Sequence, residues 1–246
     1  IAEALVKAGA KVSLWGRGRS IAMSDAASQL KEATGVSDRI HHVTVDTNDE
    51  KETRKALDKT ADEFGKPNML VNGVGGNLGK SSFIEADMDT FRKVVDMNLI
   101  AGLMVPTKVF AAYWIDESIK GSIINIASMS SFIPLSGVWA YDAAKSAVKN
   151  LTMASAKEFA PYGIRVNSIA PGFFVGKQNK ALLIKNEETG ELTDRGQAII
   201  NHTHFGRFGE ADEVAGSVIF LASPNAAGFI TGITLPIDGG YLVDNI

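Results

Sequence analysis

Tyr141 and Lys145 are separated by Asp142-Ala143-Ala144. Residues four apart share a face of a helix, and the apolar pattern over 138–162 predicts one. A lysine ammonium beside a phenol favours the phenolate and pulls the tyrosine pKa down from about 10. A tyrosine tuned in this way exchanges a proton with an alcohol or a ketone near neutral pH. The same spacing also arises by chance on surface helices, so its neighbours decide its meaning. Ser128 ends a predicted strand at 122–127. In a parallel sheet the carboxyl ends of strands open onto the ligand crevice. A hydroxyl there can bond a substrate oxygen, or, with Ser130 and Ser131 beside it, simply cap a turn. Asn98, in Met97-Asn98-Leu99, interrupts an apolar helical run. Asparagine there competes for backbone hydrogen bonds. It reads as a kink or a satisfied buried amide, or as an amide holding a water in a proton relay.

Elements must carry these groups. Short apolar runs predict strands at 11–15, 40–45, 69–71, 122–127, 165–169 and 232–235. Helical periodicity predicts helices at 20–34, 49–65, 87–115, 138–162 and 211–222. Strand and helix alternate throughout, which is the pattern of an α/β, doubly wound parallel sheet covered on both faces. The segment 1–10 reads as the second half of an amphipathic helix closed by Gly9. A strand is therefore expected before it, upstream of Ile1. No linker, repeat or low-complexity stretch divides the 246 residues, and a single domain over 1–246 is expected. Residues 172–209 carry no strand pattern and many polar side chains, as binding lids do.

Apolar residues make up 45% of the chain, charged residues 22%, and the net charge is −3. That balance gives no electrostatic drive towards nucleic acid or an anionic membrane. No apolar run reaches the roughly 18 residues that cross a bilayer. Cysteine is absent, which excludes disulfides and thiolate metal sites and suits the cytoplasm, the expected location. His202 and His204 lie two apart without nearby carboxylates, and no metal is assigned to them.

Taken together and in order, the motifs resemble the classical short-chain dehydrogenases/reductases over essentially the whole chain. Asn98, Ser128, Tyr141 and Lys145 match that family's catalytic tetrad. Asn72-Gly73-Val74-Gly75 resembles its Asn-Asn-Ala-Gly motif, departing at the second and third residues. Asp46 looks like the aspartate at the adenine ring, Pro171-Gly172 like the turn beside the nicotinamide, and Asp238-Gly239-Gly240 like the C-terminal signature. The resemblance implies a Rossmann-type dinucleotide-binding catalytic domain and cofactor contacts from Asn72, Gly73, Gly75, Tyr141, Lys145, Pro171 and Gly172. It also implies a homotetramer and a glycine-rich phosphate turn expected upstream of Ile1. At Gly176 many members carry a threonine that bonds the nicotinamide amide, which glycine cannot do from a side chain.

After the first predicted strand come Gly16-Arg17-Gly18-Arg19, with no acidic residue to hold ribose hydroxyls and repel a 2′-phosphate. Arg17 stands where arginine pairs with that phosphate in the family. NADP(H) is expected, with NAD(H) as the alternative if both arginines are solvated loop charges. The segments 170–179 and 201–209, with 72–77, resemble the sugar-acid branch of the family, notably the D-mannonate oxidoreductases. Lys177, Gln178, Asn179 and Lys180 form a cationic, amide-bearing patch suited to a polyhydroxylated carboxylate, or else the solvated face of a short helix. Ser130 and Trp139 are the remaining expected substrate contacts, although Trp139 could equally be packing. The expected reaction interconverts a secondary alcohol and a ketone on a small sugar acid such as D-mannonate. Competing expectations are a gluconate 5-dehydrogenase-like enzyme, a 3-oxoacyl-[acyl-carrier-protein] reductase, or a non-catalytic NADP-binding regulator.

Overall fold

The computed structural model describes residues 1–176 and 180–243. It opens with α1 (Ala2–Lys7), β1 (Val12–Gly16), α2 (Met23–Thr34), β2 (Ile40–Thr44), α3 (Glu50–Phe64) and β3 (Met69–Asn72). Next come α4 (Met88–Val95), a π-helical stretch Asp96–Met104, α5 (Val105–Asp116), β4 (Ser122–Ile126), α6 (Trp139–Phe159) and β5 (Arg165–Pro171). The chain closes with α7 (Lys180–Leu183), α8 (Asp194–His202), α9 (Ala211–Ala222), α10 (Pro224–Ala227) and β6 (Thr234–Ile237). This is an α/β Rossmann-like architecture with all strand pairs parallel.

The apolar strands explain the layering. Ile123 packs on one face with Leu57 of α3 and Val109, Phe110 and Trp114 of α5. Its neighbour Ile124 packs on the other face with Leu5 of α1 and Val218 and Leu221 of α9. Successive residues of a buried strand point to opposite faces, so both must be apolar.

The strands pair as β1-β2 and as β3-β4-β5-β6. Three local differences from the sequence expectations have physical causes. The last strand begins at Thr234, after Gly232 takes φ +81 and gives its N–H to Val166. The long helix over 88–116 is continuous but widens to π geometry around Asn98. Asn98 Nδ2 donates back to Val94 O at 2.8 Å, and the loop after β3 presses on Gly102, where a Cβ would lie 2.5 Å from Val74 O. Finally, Met88–Asp116 is long and apolar enough to cross a membrane by length and composition. Counting uninterrupted apolar residues misses it because Asp96 and Lys108 break the run. In this fold its Val109, Phe110 and Trp114 pack in the core.

Candidate active site

β4 ends at Ile126 and the chain turns at Ser128, whose backbone is extended (φ −162, ψ 162) and whose Oγ accepts from Ser130 N–H at 3.2 Å. A 3-10 turn Met129–Ser131 and the loop 132–138 then lead into α6, with Tyr141 and Lys145 on its first two turns. The helix is fastened to this turn, because Ser131 Oγ donates to Lys145 O at 2.6 Å. Lys145 is 4% exposed and its Nζ donates to Ile126 O at 2.7 Å. The ammonium sits 5.6 Å from the centroid of the Tyr141 ring. Ser128, Tyr141 and Lys145 thus converge where β4 opens.

Burial is the main influence on Tyr141 and raises its pKa, while a hydrogen bond with Ser128 lowers it and Asp142 raises it further. The sequence expectation had Lys145 lowering it. That ammonium donates to a strand carbonyl and lies by the ring face, and burial dominates. Burial also lowers the Lys145 pKa, to about 8.

Asn98 completes the floor. Its Nδ2 donates to Gly76 O at 2.7 Å and to Val94 O at 2.8 Å, and its Oδ1 accepts from Gly76 N–H at 3.0 Å. Both amide protons are therefore engaged by backbone, and the side chain fixes the Gly75–Gly76 loop. Gly75 needs its missing side chain: a Cβ would lie 2.6 Å from Asn98 Oδ1 and 3.2 Å from Lys145 Nζ.

The Asn72 side chain also turns inward. It is 5% exposed and its Nδ2 donates inward, to Thr107 Oγ1 at 2.9 Å and Asn125 Oδ1 at 2.8 Å. Asn125 Nδ2 continues to Thr152 Oγ1 at 2.9 Å. This buried network ties β3, α5, β4 and α6 together beneath the site. Sequence reasoning missed Asn125, although a lone amide in the apolar strand Ser-Ile-Ile-Asn-Ile, in register with Asn72, was the available signal.

The prospective cofactor residues line the carboxyl ends of the strands. Arg17 follows β1 and Asp46 follows β2, and the two form an ion pair at 3.7 Å with side chains 41% and 43% exposed. Gly73 is exposed after β3, with nothing within 4 Å of where its Cβ would be. Gly172 is packed against the C-terminal turn, where a Cβ would lie 2.7 Å from Asp238 Cα. Asp238 in turn accepts from Gly240 N–H at 3.0 Å and Leu242 N–H at 2.9 Å. Open glycine backbone beside Lys145, with a cation and a carboxylate at the far end, fits an extended dinucleotide.

The substrate side is less uniform. Lys177, Gln178 and Asn179 lie outside the described residues. Ser130 is 3% exposed and its hydroxyl has no partner among the described residues. Trp139 is an anchor: its Nε1 donates to Ser81 O at 3.1 Å, and its ring meets Phe83 edge-on at 5.3 Å. The described part of 172–209 carries α7 and α8, and Phe173, Phe174, Phe205 and Arg207 help line a cavity of about 270 Å³. No group of metal-ligating residues occurs among the described residues.

Comparison with known proteins agrees with this geometry. The family model described as "Enoyl-(Acyl carrier protein) reductase", of short-chain dehydrogenase/reductase type, matches residues 1–242. An uncharacterized oxidoreductase of Bacillus subtilis is 34% identical, over 98% of this chain and 89% of its own. A 2-dehydro-3-deoxy-D-gluconate 5-dehydrogenase of Dickeya dadantii is 33% identical, over 87% and 80%. A 3-oxoacyl-[acyl-carrier-protein] reductase of Thermotoga maritima is 30% identical, over 91% and 85%. The crystal structure of a candidate D-mannonate oxidoreductase from Haemophilus influenzae, with bound NAD, superposes with a TM-score of 0.86 at 31% identity, covering 99% of this chain and 91% of that one. A gluconate 5-dehydrogenase from Burkholderia cenocepacia, in complex with NADP and tartrate, gives 0.85 at 29% identity, covering 99% and 90%. The chain belongs to the short-chain dehydrogenase/reductase family and is an NAD(P)-dependent oxidoreductase.

Proposed function

We propose that the enzyme interconverts a secondary alcohol and a ketone on a sugar acid, with D-mannonate and D-fructuronate as the first pair to test. The observation that carries the reaction type is the convergence of Ser128, Tyr141 and Lys145 at the open end of β4. When bound, the nicotinamide cofactor supplies or accepts the hydride. The chain's own residues do the rest. In reduction, the Ser128 and Tyr141 hydroxyls receive the ketone oxygen, and Tyr141 gives its proton to the developing alkoxide. Lys145 adds positive charge beside the phenol and a donor for the nicotinamide ribose. Asn98 holds the Gly75–Gly76 loop against which the cofactor lies.

The sugar-acid assignment draws support from the relatives, since the Dickeya and Burkholderia proteins are named for gluconate-type substrates. By sequence, Lys177, Gln178 and Asn179 are the candidate carboxylate partners, while Lys180 is paired with Glu187 at 2.7 Å. Arg17 favours NADP(H), provided Asp46 yields it to a 2′-phosphate, and NAD(H) remains the alternative. Cytoplasmic location and a homotetramer complete the proposal.

A 3-oxoacyl-[acyl-carrier-protein] reductase is the second reading, favoured by the Thermotoga relative. The test is NADPH and NADH oxidation at 340 nm with D-fructuronate, 5-ketogluconate and an acetoacetyl thioester. Turnover of a keto acid with silence on the thioester is the expected result. The reverse pattern selects the acyl reductase. Tight NADPH binding with silence on all three would point to a regulator.

A further inference from the structure

Loop 73–86 joins β3 to α4 and touches the site at two points. Near its start, a Cβ on Gly75 would lie 3.2 Å from Lys145 Nζ, and Asn98 holds Gly76 through two hydrogen bonds. Further on, the loop is clasped to the turn that leads into α6. Ser81 N–H donates to Gly137 O at 3.1 Å, and Trp139 Nε1 donates to Ser81 O at 3.1 Å. The Phe83 ring meets the Trp139 ring edge-on at 5.3 Å. Gly137 and Trp139 lie four and two residues before Tyr141. The loop therefore reaches from Lys145 to the approach of Tyr141.

Lys80 rides on this clasp. Its stem lies across Gly137, where a Cβ would be 2.7 Å from Lys80 Cγ and 2.9 Å from its Cε. Gly137 takes φ +78, so its backbone and the stem that crosses it both call for glycine. Lys80 is exposed, and among the described residues its ammonium has no ion pair. The single carboxylate of the loop, Glu85, accepts from Ser82 Oγ at 2.6 Å instead. By contrast, Arg17 pairs with Asp46, Lys145 donates to Ile126 O, Lys180 pairs with Glu187 and Arg207 with Glu213. A lysine whose stem is laid down while its charge stays unpaired is ready for an anion from outside the chain. Ordering a flexible side chain is the usual cost of binding through lysine, and packing on Gly137 reduces it in advance.

We infer that Lys80 is a specificity-determining residue: held on Gly137 by the Ser81–Trp139 clasp, its ammonium takes the carboxylate of a keto acid whose carbonyl lies at Ser128 and Tyr141. The inference rests on the sugar-acid reading and names the group that recognises the acid. An ammonium and a carboxylate form a charge-assisted hydrogen bond, stronger than one to a neutral ester. Trp139 is the positioning residue behind Lys80, because its indole N–H and its ring set where Ser81 and Phe83 lie.

The test compares the keto acid that turns over, D-fructuronate or 5-ketogluconate, with its own methyl ester. In Lys80→Met the ratio of kcat/KM for acid over ester should fall by roughly tenfold or more, through the KM of the acid. Lys80→Arg keeps a charged donor and should retain most of the ratio. Trp139→Phe removes the indole donor and keeps a ring for Phe83. Its ratio should fall by a smaller factor, and in the Lys80→Met background it should cause no further fall. NADPH affinity of Lys80→Met, by fluorescence titration, should stay within about twofold of wild type. An unchanged ratio in Lys80→Met, with or without a fall in Lys177→Met, would overturn this inference and leave the sugar-acid reading standing. A collapse of NADPH affinity would also overturn it, by assigning Lys80 to the cofactor. If no keto acid turns over in the wild-type enzyme, the sugar-acid reading falls and this inference with it.

Discussion

The two halves of the crevice are built differently. On the β3–β6 side, four hydrogen-bonded strands carry Ser128, and Asn72, Asn125, Thr107 and Thr152 form a closed amide and hydroxyl network beneath it. On the β1–β2 side, the cofactor candidates Arg17 and Asp46 are paired with each other near solvent. The difference teaches a division of labour. The candidate proton-transfer groups are fixed by buried hydrogen bonds, where a small displacement would cost rate. The candidate cofactor groups are held by an exposed ion pair worth little in itself.

Three substitutions can break or sharpen that contrast. The largest stability effect should come from Asn125→Leu, which leaves one amide proton of Asn72 without its acceptor and the Thr152 oxygen without its donor in a buried layer. Denaturant unfolding should report a loss of about 2–4 kcal/mol. A change under ~0.5 kcal/mol would mean that the network does not organise this half. A smaller effect is expected on the β1–β2 side. Arg17→Glu should shift the NADP(H)-to-NAD(H) ratio of kcat/KM by roughly tenfold or more towards NAD(H), with the unfolding midpoint unchanged. An unchanged ratio would free Arg17 from any part in cofactor choice.

The smallest effect concerns Lys145. Its folded pKa, about 8, lies below the ordinary value of 10.5 because of burial. The folded state is therefore penalised while the lysine is charged, and stability from this group improves as pH rises from about 8 towards 10.5. Lys145→Met should lose turnover yet melt at or slightly above the wild-type temperature at pH 7, and lose that alkaline gain. A marked drop in melting temperature would show that the Ile126 contact outweighs the burial of charge.

Much of this was legible in the sequence because it is local. Apolar alternation located every strand to within two residues or so, and Asn98 stood out as an amide in the wrong place. That misfit marks the π-helical stretch, although only the close approach of Val74 at Gly102 shows why the helix widens there. What was not legible depends on partners far apart in the chain. The direction of the Lys145 ammonium is set by Ile126, nineteen residues earlier.

The most direct test of proton transfer at this site is Tyr141→Phe, with NAD(P)H affinity measured by fluorescence titration alongside turnover. Removing one hydroxyl from a pre-formed site should leave cofactor affinity within about twofold while turnover falls by roughly 10²–10⁴. Turnover close to wild type, or a parallel collapse of cofactor affinity, would contradict the account.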